Sequence, residues 1–258
     1  MKRIRLALWA QLLLTPFAVA EEMAQPVVLR TGRTLELDNG LVRLGIDAEG
    51  SLRELTLDGG PNLAARGYWN GNGYGYDASG TPLPEEFAVL AGQVRVLRQS
   101  DELAEVAFVR EPGPPLYFRT ALHYVLRRGE PGFYLFMTAA HDGQTPAGSM
   151  IQYAYNLRLD PQHFDYIAVD DARRHVSHSC EDEAAATRIM DATFLLDDGR
   201  VVSKYDYTHA IEDGEYHLYG WAGAQAGVWW IQASGEYFGS APFRVLLTSH
   251  QTAKTPAI

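Results

Sequence analysis

The chain is poor in several residue types that carry common functions. It has one cysteine, Cys180, among 258 residues. A single cysteine excludes an intrachain disulfide and an all-cysteine zinc or iron–sulfur site. Lysine is almost as scarce: Lys2, Lys204 and Lys254 are the only three, and the other 19 basic residues are arginine. Lys2 and Lys254 sit at the ends, which leaves Lys204 as the only lysine inside the body of the chain. Arginine stays charged under ordinary conditions, whereas lysine can be tuned into a base. No apolar run is long enough to form a membrane helix. Walker and Rossmann glycine patterns and a Gly-x-Ser-x-Gly nucleophile elbow are missing, and so is the strand–helix alternation they require. Helical periodicity is nearly absent. The best candidate is Glu181 to Met190, with three consecutive alanines.

Positive charge is also in the minority. Lysine and arginine total 22 against 32 aspartates and glutamates, a formal net charge of −10. That balance argues against nucleic acid or an anionic membrane as the main partner, because both need a basic face. It does not exclude an acidic small or polymeric ligand, since a local arginine cluster binds carboxylates inside an acidic protein. Hydrophobic residues at 47% and charged residues at 21% are those of a folded globular chain, not a disordered one.

The N-terminus has the pattern of an export signal. Lys2, Arg3 and Arg5 precede the short apolar run Leu6 to Leu14, and Ala18-Val19-Ala20 gives a small-x-small cleavage pattern before Glu21. Residues 1–20 are therefore expected to be a signal peptide and 21–258 a single mature domain, secreted or periplasmic. Removing three basic residues and no acidic one takes the net charge from −10 to −13.

Alternation dominates the body. Leu35 and Leu37, then Val42, Leu44 and Ile46 recur with period two, and Leu52, Leu55 and Leu57 follow, with turns at Asn39-Gly40 and Glu49-Gly50 and a close at Asp58-Gly59. Asn-Gly and Asp-Gly accept the positive φ of hairpin turns. Further strands are expected at 94–97, 104–109, 117–126, 133–139, 151–159, 166–169, 192–196, 216–221, 228–233 and 243–247. Asp197-Asp198-Gly199 and Glu212-Asp213-Gly214 read as tight turns. The pattern predicts an all-β protein, a large antiparallel β-sandwich. Arg66 to Pro82 (RGYWNGNGYGYDASGTP) differs, with five glycines and four aromatics, and is expected to be a loop. Its rings suit either sugar stacking or cover for a core edge, and spacing alone favours the second.

Other clusters carry less. His175, His178 and Cys180 lack a standard zinc spacing and an evident fourth ligand. Asp170-Asp171 and Asp197-Asp198 are neighbours, and neighbours in a strand point to opposite faces, which suits a glycosidase acid/base pair poorly. No acidic calcium loop of the EF-hand type is present.

The C-terminal third reads SKYDY (Ser203 to Tyr207), HLYGW (His217 to Trp221), GVWWIQASGEY (Gly227 to Tyr237) and APFRVLLTSH (Ala241 to His250). Upstream stand RGYW (Arg66 to Trp69), RTALHYVLRRGEPGFYLFMTAAH (Arg119 to His141) and FDYIAVDDARR (Phe164 to Arg174). In this order the segments resemble the N-terminal domain of the rhamnogalacturonan lyases of polysaccharide lyase family 4, from about Leu37 to His250. The resemblance implies a β-super-sandwich of the galactose-mutarotase type. It implies β-elimination at the galacturonic acid residues of rhamnogalacturonan I, with Lys204 as base and His250 as acid. Substrate contacts are then expected among Arg66, Tyr68, Trp69, Arg119, Gln152, Arg158, Tyr205, Trp221, Trp230, Glu236 and Arg244. Gln152 stands where the family places an arginine for the substrate carboxylate; Arg158, Arg119 and Arg66 are the alternatives. Family members continue past the LTSH segment into a fibronectin-like and a jelly-roll domain, whereas Gln251 to Ile258 end this chain. The other reading is a non-catalytic carbohydrate-binding sandwich, or an inactive relative. The expected partner is an acidic plant cell-wall polysaccharide or oligosaccharide, bound by a monomer, with no nucleic acid or membrane. No cofactor is expected, although calcium could bridge uronate carboxylates.

Overall fold

The structure is a computed structural model. It describes residues 24–169, 173–177, 180–191, 193–203, 208–210, 219–231 and 244–246. The expected signal peptide, His178 and the expected turn at Glu212 to Gly214 lie outside these residues.

The described chain is built of antiparallel strands, as the alternation predicts. It divides into two compact units, one of residues 1–61 and 69–153, the other of residues 62–68 and 154–258. The strands β1 (Val28–Thr31), β2 (Leu35–Asp38), β3 (Val42–Ile46), β4 (Leu52–Leu57), β5 (Ala64–Gly75), β6 (Glu86–Val89) and β11 (Gly148–Leu159) form one sheet. Its order is β1-β2-β3-β4-β5-β11, with β6 also pairing β5. The strands β7 (Gln93–Gln99), β8 (Leu103–Arg110), β9 (Arg119–Arg127) and β10 (Phe133–Ala140) form a second sheet, a meander in the order β10-β9-β8-β7.

In the first unit these sheets bury alternate residues against one another. Leu37, Leu44, Ile46 and Leu52 are fully buried from the first sheet; Val106, Phe108, Leu122, Tyr124 and Leu126 are fully buried from the second. The layers touch where Tyr124 donates a 3.0 Å hydrogen bond to the Gly50 carbonyl. Gly50 is at φ +97, and a Cβ there would meet the Phe108 ring at 2.8 Å. This turn therefore needs glycine twice, for its backbone angle and for the ring beneath it.

In the second unit β12 (Tyr166–Ala168), β13 (Arg174–Val176), β18 (Tyr219–Ala222) and β19 (Gly227–Trp230) form a sheet in the order β13-β12-β18-β19. The strands β14 (Thr187–Met190), β15 (Thr193–Leu195) and β16 (Val201–Ser203) form a three-stranded sheet, and β17 (Thr208–Ala210) pairs β20 (Arg244–Leu246). Among the described residues no helix is long and apolar enough to cross a membrane.

Two expectations are corrected. The helix expected over 181–190 is a single short helix, α1 (Cys180–Ala185), followed by β14. Thr187 and Ile189 are β-branched, and β15 supplies ladder partners for this stretch, so the helix stops at the alanines. The expected glycine-rich loop is mostly strand: β5 runs for 12 residues from Ala64 to Gly75. Its glycines lie where neighbours press on the backbone. A Cβ on Gly71 would meet Leu116 at 2.5 Å, one on Gly73 the Ser149 carbonyl at 2.3 Å, and one on Gly75 the Tyr117 ring at 2.6 Å.

Candidate functional site

The expected site residues divide into three groups. The first lies outside the described residues: Lys204, His250, Tyr205 and Glu236. Arg244 opens β20, where its backbone pairs with Ala210.

The second group is core. Trp69 is fully buried, with its ring 6.2 Å from that of Tyr153. Trp221 is also fully buried, on β18 between Ile167 and Val228 of the flanking strands. Both indoles fill protein interior and present no face to a ligand here.

The third group is accessible. Gln152 is exposed on β11, and Arg119 is exposed on β9, 3.4 Å from Glu111. Trp230 is half-buried at the end of β19, opposite Tyr219. Arg66, Tyr68 and Arg158, all in the second unit, come together. The Asp160 amide donates to the Leu63 carbonyl at 2.9 Å, which fixes the start of β5 beside the end of β11. Arg66 and Tyr68 are two apart on β5, so both lie on one face of the strand. Arg158 Nη2 donates to the Tyr68 hydroxyl at 3.2 Å. The two guanidinium carbons stand 5.0 Å (Arg66) and 5.7 Å (Arg158) from the centroid of the Tyr68 ring. Arg66 Nε is buried without a hydrogen-bond partner, and no ion pair joins Arg66 to another described residue. The Tyr68 ring thus contacts two planar cations. This arrangement suits a carboxylate, which accepts bidentate hydrogen bonds from such a fork.

A second feature, in the first unit, falls within the aromatic segment Arg66 to Pro82 but was not assigned site residues from the sequence. The rings of Tyr74 and Tyr76 meet edge to face at 5.5 Å. Hydrogen bonds to Ser149 and Tyr76 lower the Tyr74 pKa, and the same Tyr74 contact raises that of Tyr76. Tyr76, Asp77, Gly80 and Pro146 line a shallow, open cavity of about 580 Å³. The signal was present: glycine and tyrosine alternate from Gly73 to Tyr76, a period-two pattern that belongs to a strand. Among the described residues no group of three or more His, Cys, Asp or Glu side chains is placed to hold a metal ion. Of the cluster named above, His175 lies on β13 and Cys180 opens α1.

An all-β chain of antiparallel sheets is the class that the described residues define. The particular family follows from comparison with known proteins. The model of the rhamnogalacturonate lyase family matches residues 14–194, and the chain belongs to that family. It is also similar to a rhamnogalacturonate lyase of Dickeya dadantii (strain 3937), with 28% identity over 254 residues. The alignment covers 95% of this chain and 42% of the relative, so the chain spans well under half the length of the relative it matches.

Proposed function

We propose that the protein is a polysaccharide lyase that cleaves rhamnogalacturonan I by β-elimination at galacturonic acid. The observation that carries the substrate class is the family match over residues 14–194. The Arg66–Tyr68–Arg158 cluster supports the chemistry.

A proton at C5, beside a carboxylate, is a poor acid, because its removal places a second negative charge next to the first. Three tasks follow. The carboxylate must be neutralised, a base must take the C5 proton, and an acid must protonate the oxygen leaving C4. In this proposal Arg66 and Arg158 hold the carboxylate, which bears on the one task left open by Gln152. Lys204 takes the C5 proton. The electron pair of the C–H bond becomes the C4–C5 double bond, the C4–O bond breaks, and His250 gives the departing oxygen its proton. Two guanidiniums supply the positive charge that the carbanion-like transition state needs, so no cofactor is invoked. Gln152 favours the second reading, a surface that binds the polysaccharide without cleaving it.

Incubation of the protein with rhamnogalacturonan I, followed by ultraviolet absorbance of the new double bond, separates the two readings. Absorbance is expected to rise. Lys204→Ala and His250→Ala are each expected to lower the rate by about 10²–10⁴-fold. Arg66→Ala and Arg158→Ala are each expected to lower kcat/KM by about 10²-fold, with Arg66→Lys intermediate because lysine keeps the charge and loses the planar fork. Tight binding with no absorbance would establish the second reading. Full activity in both the Lys204 and His250 variants would refute the assignment of base and acid.

A further inference from the structure

The face of the β7–β10 sheet that is turned away from the core, in the first unit, gathers arginines and aromatic rings. Strand register places its side chains in rows. Phe136 lies beside His123, which lies beside Ala107 and then Arg95; Tyr134 lies beside Val125, then Glu105, then Arg98. Arg119 and Arg127 stand at the two ends of β9 on the same face. The alternate residues of β8 and β9, Val106, Phe108, Leu122 and Tyr124, fill the core, so this face is turned away from it.

Four arginines therefore share the face with one acidic strand residue, Glu105, on a chain whose net charge is −10. Glu105 is already engaged, 3.1 Å from His123 Nδ1 and 3.4 Å from Arg98 Nε. Arg95 is exposed and has no ion pair among the described residues. Arg127 lies 3.1 Å from Glu130, and the neighbouring Tyr134 and then Glu130 favour its charged form.

The aromatic residues complete the surface. Tyr134 is 50% exposed and Phe136 41%, two residues apart on one strand. The Phe136 ring is stacked on the His123 imidazole, 4.3 Å between centroids and 16° between planes, and His123 is held in turn by Glu105. An exposed phenyl ring backed in this way is already ordered before a ligand arrives, which reduces the entropy lost on binding. Flat rings between cations match a chain of sugar rings that carries carboxylates: C–H-rich sugar faces lie on the aromatics, and the carboxylates meet guanidiniums.

We propose that this face is a second, non-catalytic binding surface for an acidic polysaccharide. The substrate class rests on the function proposed above, whereas the location rests on the sheet itself. On this surface Tyr134 and Phe136 are the stacking platform, and Arg95, Arg98 and Arg127 hold the carboxylates.

The test is affinity electrophoresis of the whole protein through gels containing polygalacturonate or, as neutral control, a galactan. The wild type is expected to be retarded by the acidic polymer alone, and less so as salt is raised. Tyr134→Ala combined with Phe136→Ala, and Arg95→Glu combined with Arg98→Glu, are each expected to weaken retention by about ten-fold. Phe136→Trp should retain it, which separates stacking from loss of fold, and circular dichroism checks that each variant is folded. Unchanged retention in both double variants, equal retention by the neutral polymer, or self-association of the wild type through this face would overturn the proposal. A wild type that is retained but yields no unsaturated product would sink the lyase reading and leave this surface in place. A wild type that yields product, with retention unaltered by the variants, would do the reverse.

Discussion

Asn39 shows how much one side chain can hold. It is 1% exposed, and its amide uses both ends. Nδ2 donates to the carbonyls of Arg127 and Glu130 at 2.6 and 2.9 Å, and Oδ1 accepts from the amides of Leu41 and Val42 at 3.0 and 2.7 Å. The side chain ties the β2–β3 turn to the β9–β10 turn. Asn39→Ala leaves buried backbone groups without partners and is expected to cost roughly 2–4 kcal/mol in urea unfolding. Asn39→Asp should be no better, because a carboxylate cannot donate to two carbonyls. Equal stability of Asn39→Asp and wild type near neutral pH would refute this account. The Asn39-Gly40 turn was legible in the sequence, since the pair has a known turn chemistry. Its partners lie 88 and 91 residues away, and no local pattern encodes that reach. The candidate site divides the same way. Arg66 and Arg158 were legible only as alternatives for one role; the Tyr68 ring that gathers them depends on the side-by-side placement of β5 and β11. Trp69 and Trp221 were read as contact residues because aromatic residues serve cores and sugars alike, and burial alone tells them apart.

Strands were more legible than the exceptions among them. Period-two patterning marks β2, β3, β8 and β9 because their core-facing residues alternate with less buried ones. β5 reads as a loop in the sequence because glycines occupy most of its inward positions in place of apolar side chains, although glycine and tyrosine still alternate from Gly73 to Tyr76. Gly73 has the least room: an added Cβ meets two backbone oxygens, Ser149 O at 2.3 Å and Pro115 O at 2.8 Å. Gly73→Ala is therefore expected to destabilise the protein by about 1–3 kcal/mol or prevent folding, since backbone cannot step aside as a side chain can. Gly132→Ala, with nothing within 4 Å and no positive φ, is the control and should be near neutral in thermal unfolding. The β3–β4 turn offers a pH test. Burial alone would raise the pKa of Asp47, but hydrogen bonds from the Ser51 and Glu49 amides and from Arg53 outweigh it and hold the carboxyl below its ordinary 3.8. A depressed folded-state pKa gives stability that is present above the unfolded pKa and lost as pH falls through the folded one. Urea midpoints should thus fall as pH drops below about 4. Asp47→Asn should flatten part of that decline; an unchanged acid slope would show that Asp47 does not contribute to it.

At the scale of the whole molecule, charge is distributed against the net value. The chain is acidic, at −10, yet its positive charge is almost all arginine, the side chain suited to flat, bidentate contact with carboxylates. On the proposed function, an acidic protein binding an acidic polymer is repelled at long range and holds it through short-range arginine contacts, so local clusters would matter more than the overall sign. The same argument bears on the basic N-terminal segment, which carries Lys2, Arg3 and Arg5. We propose that this segment directs export and is then removed after Ala20. Its basic start, its apolar run of nine residues and its Ala-Val-Ala site are the three parts that such processing requires. The full gene expressed in a Gram-negative host should yield a periplasmic protein whose intact mass and first residue correspond to a chain beginning at Glu21, with net charge lowered from −10 to −13. Replacing Ala18 and Ala20 by bulky residues should leave the precursor uncut in the membrane fraction. Recovery of the chain from the cytoplasm with Met1 in place would show that residues 1–20 are not an export signal.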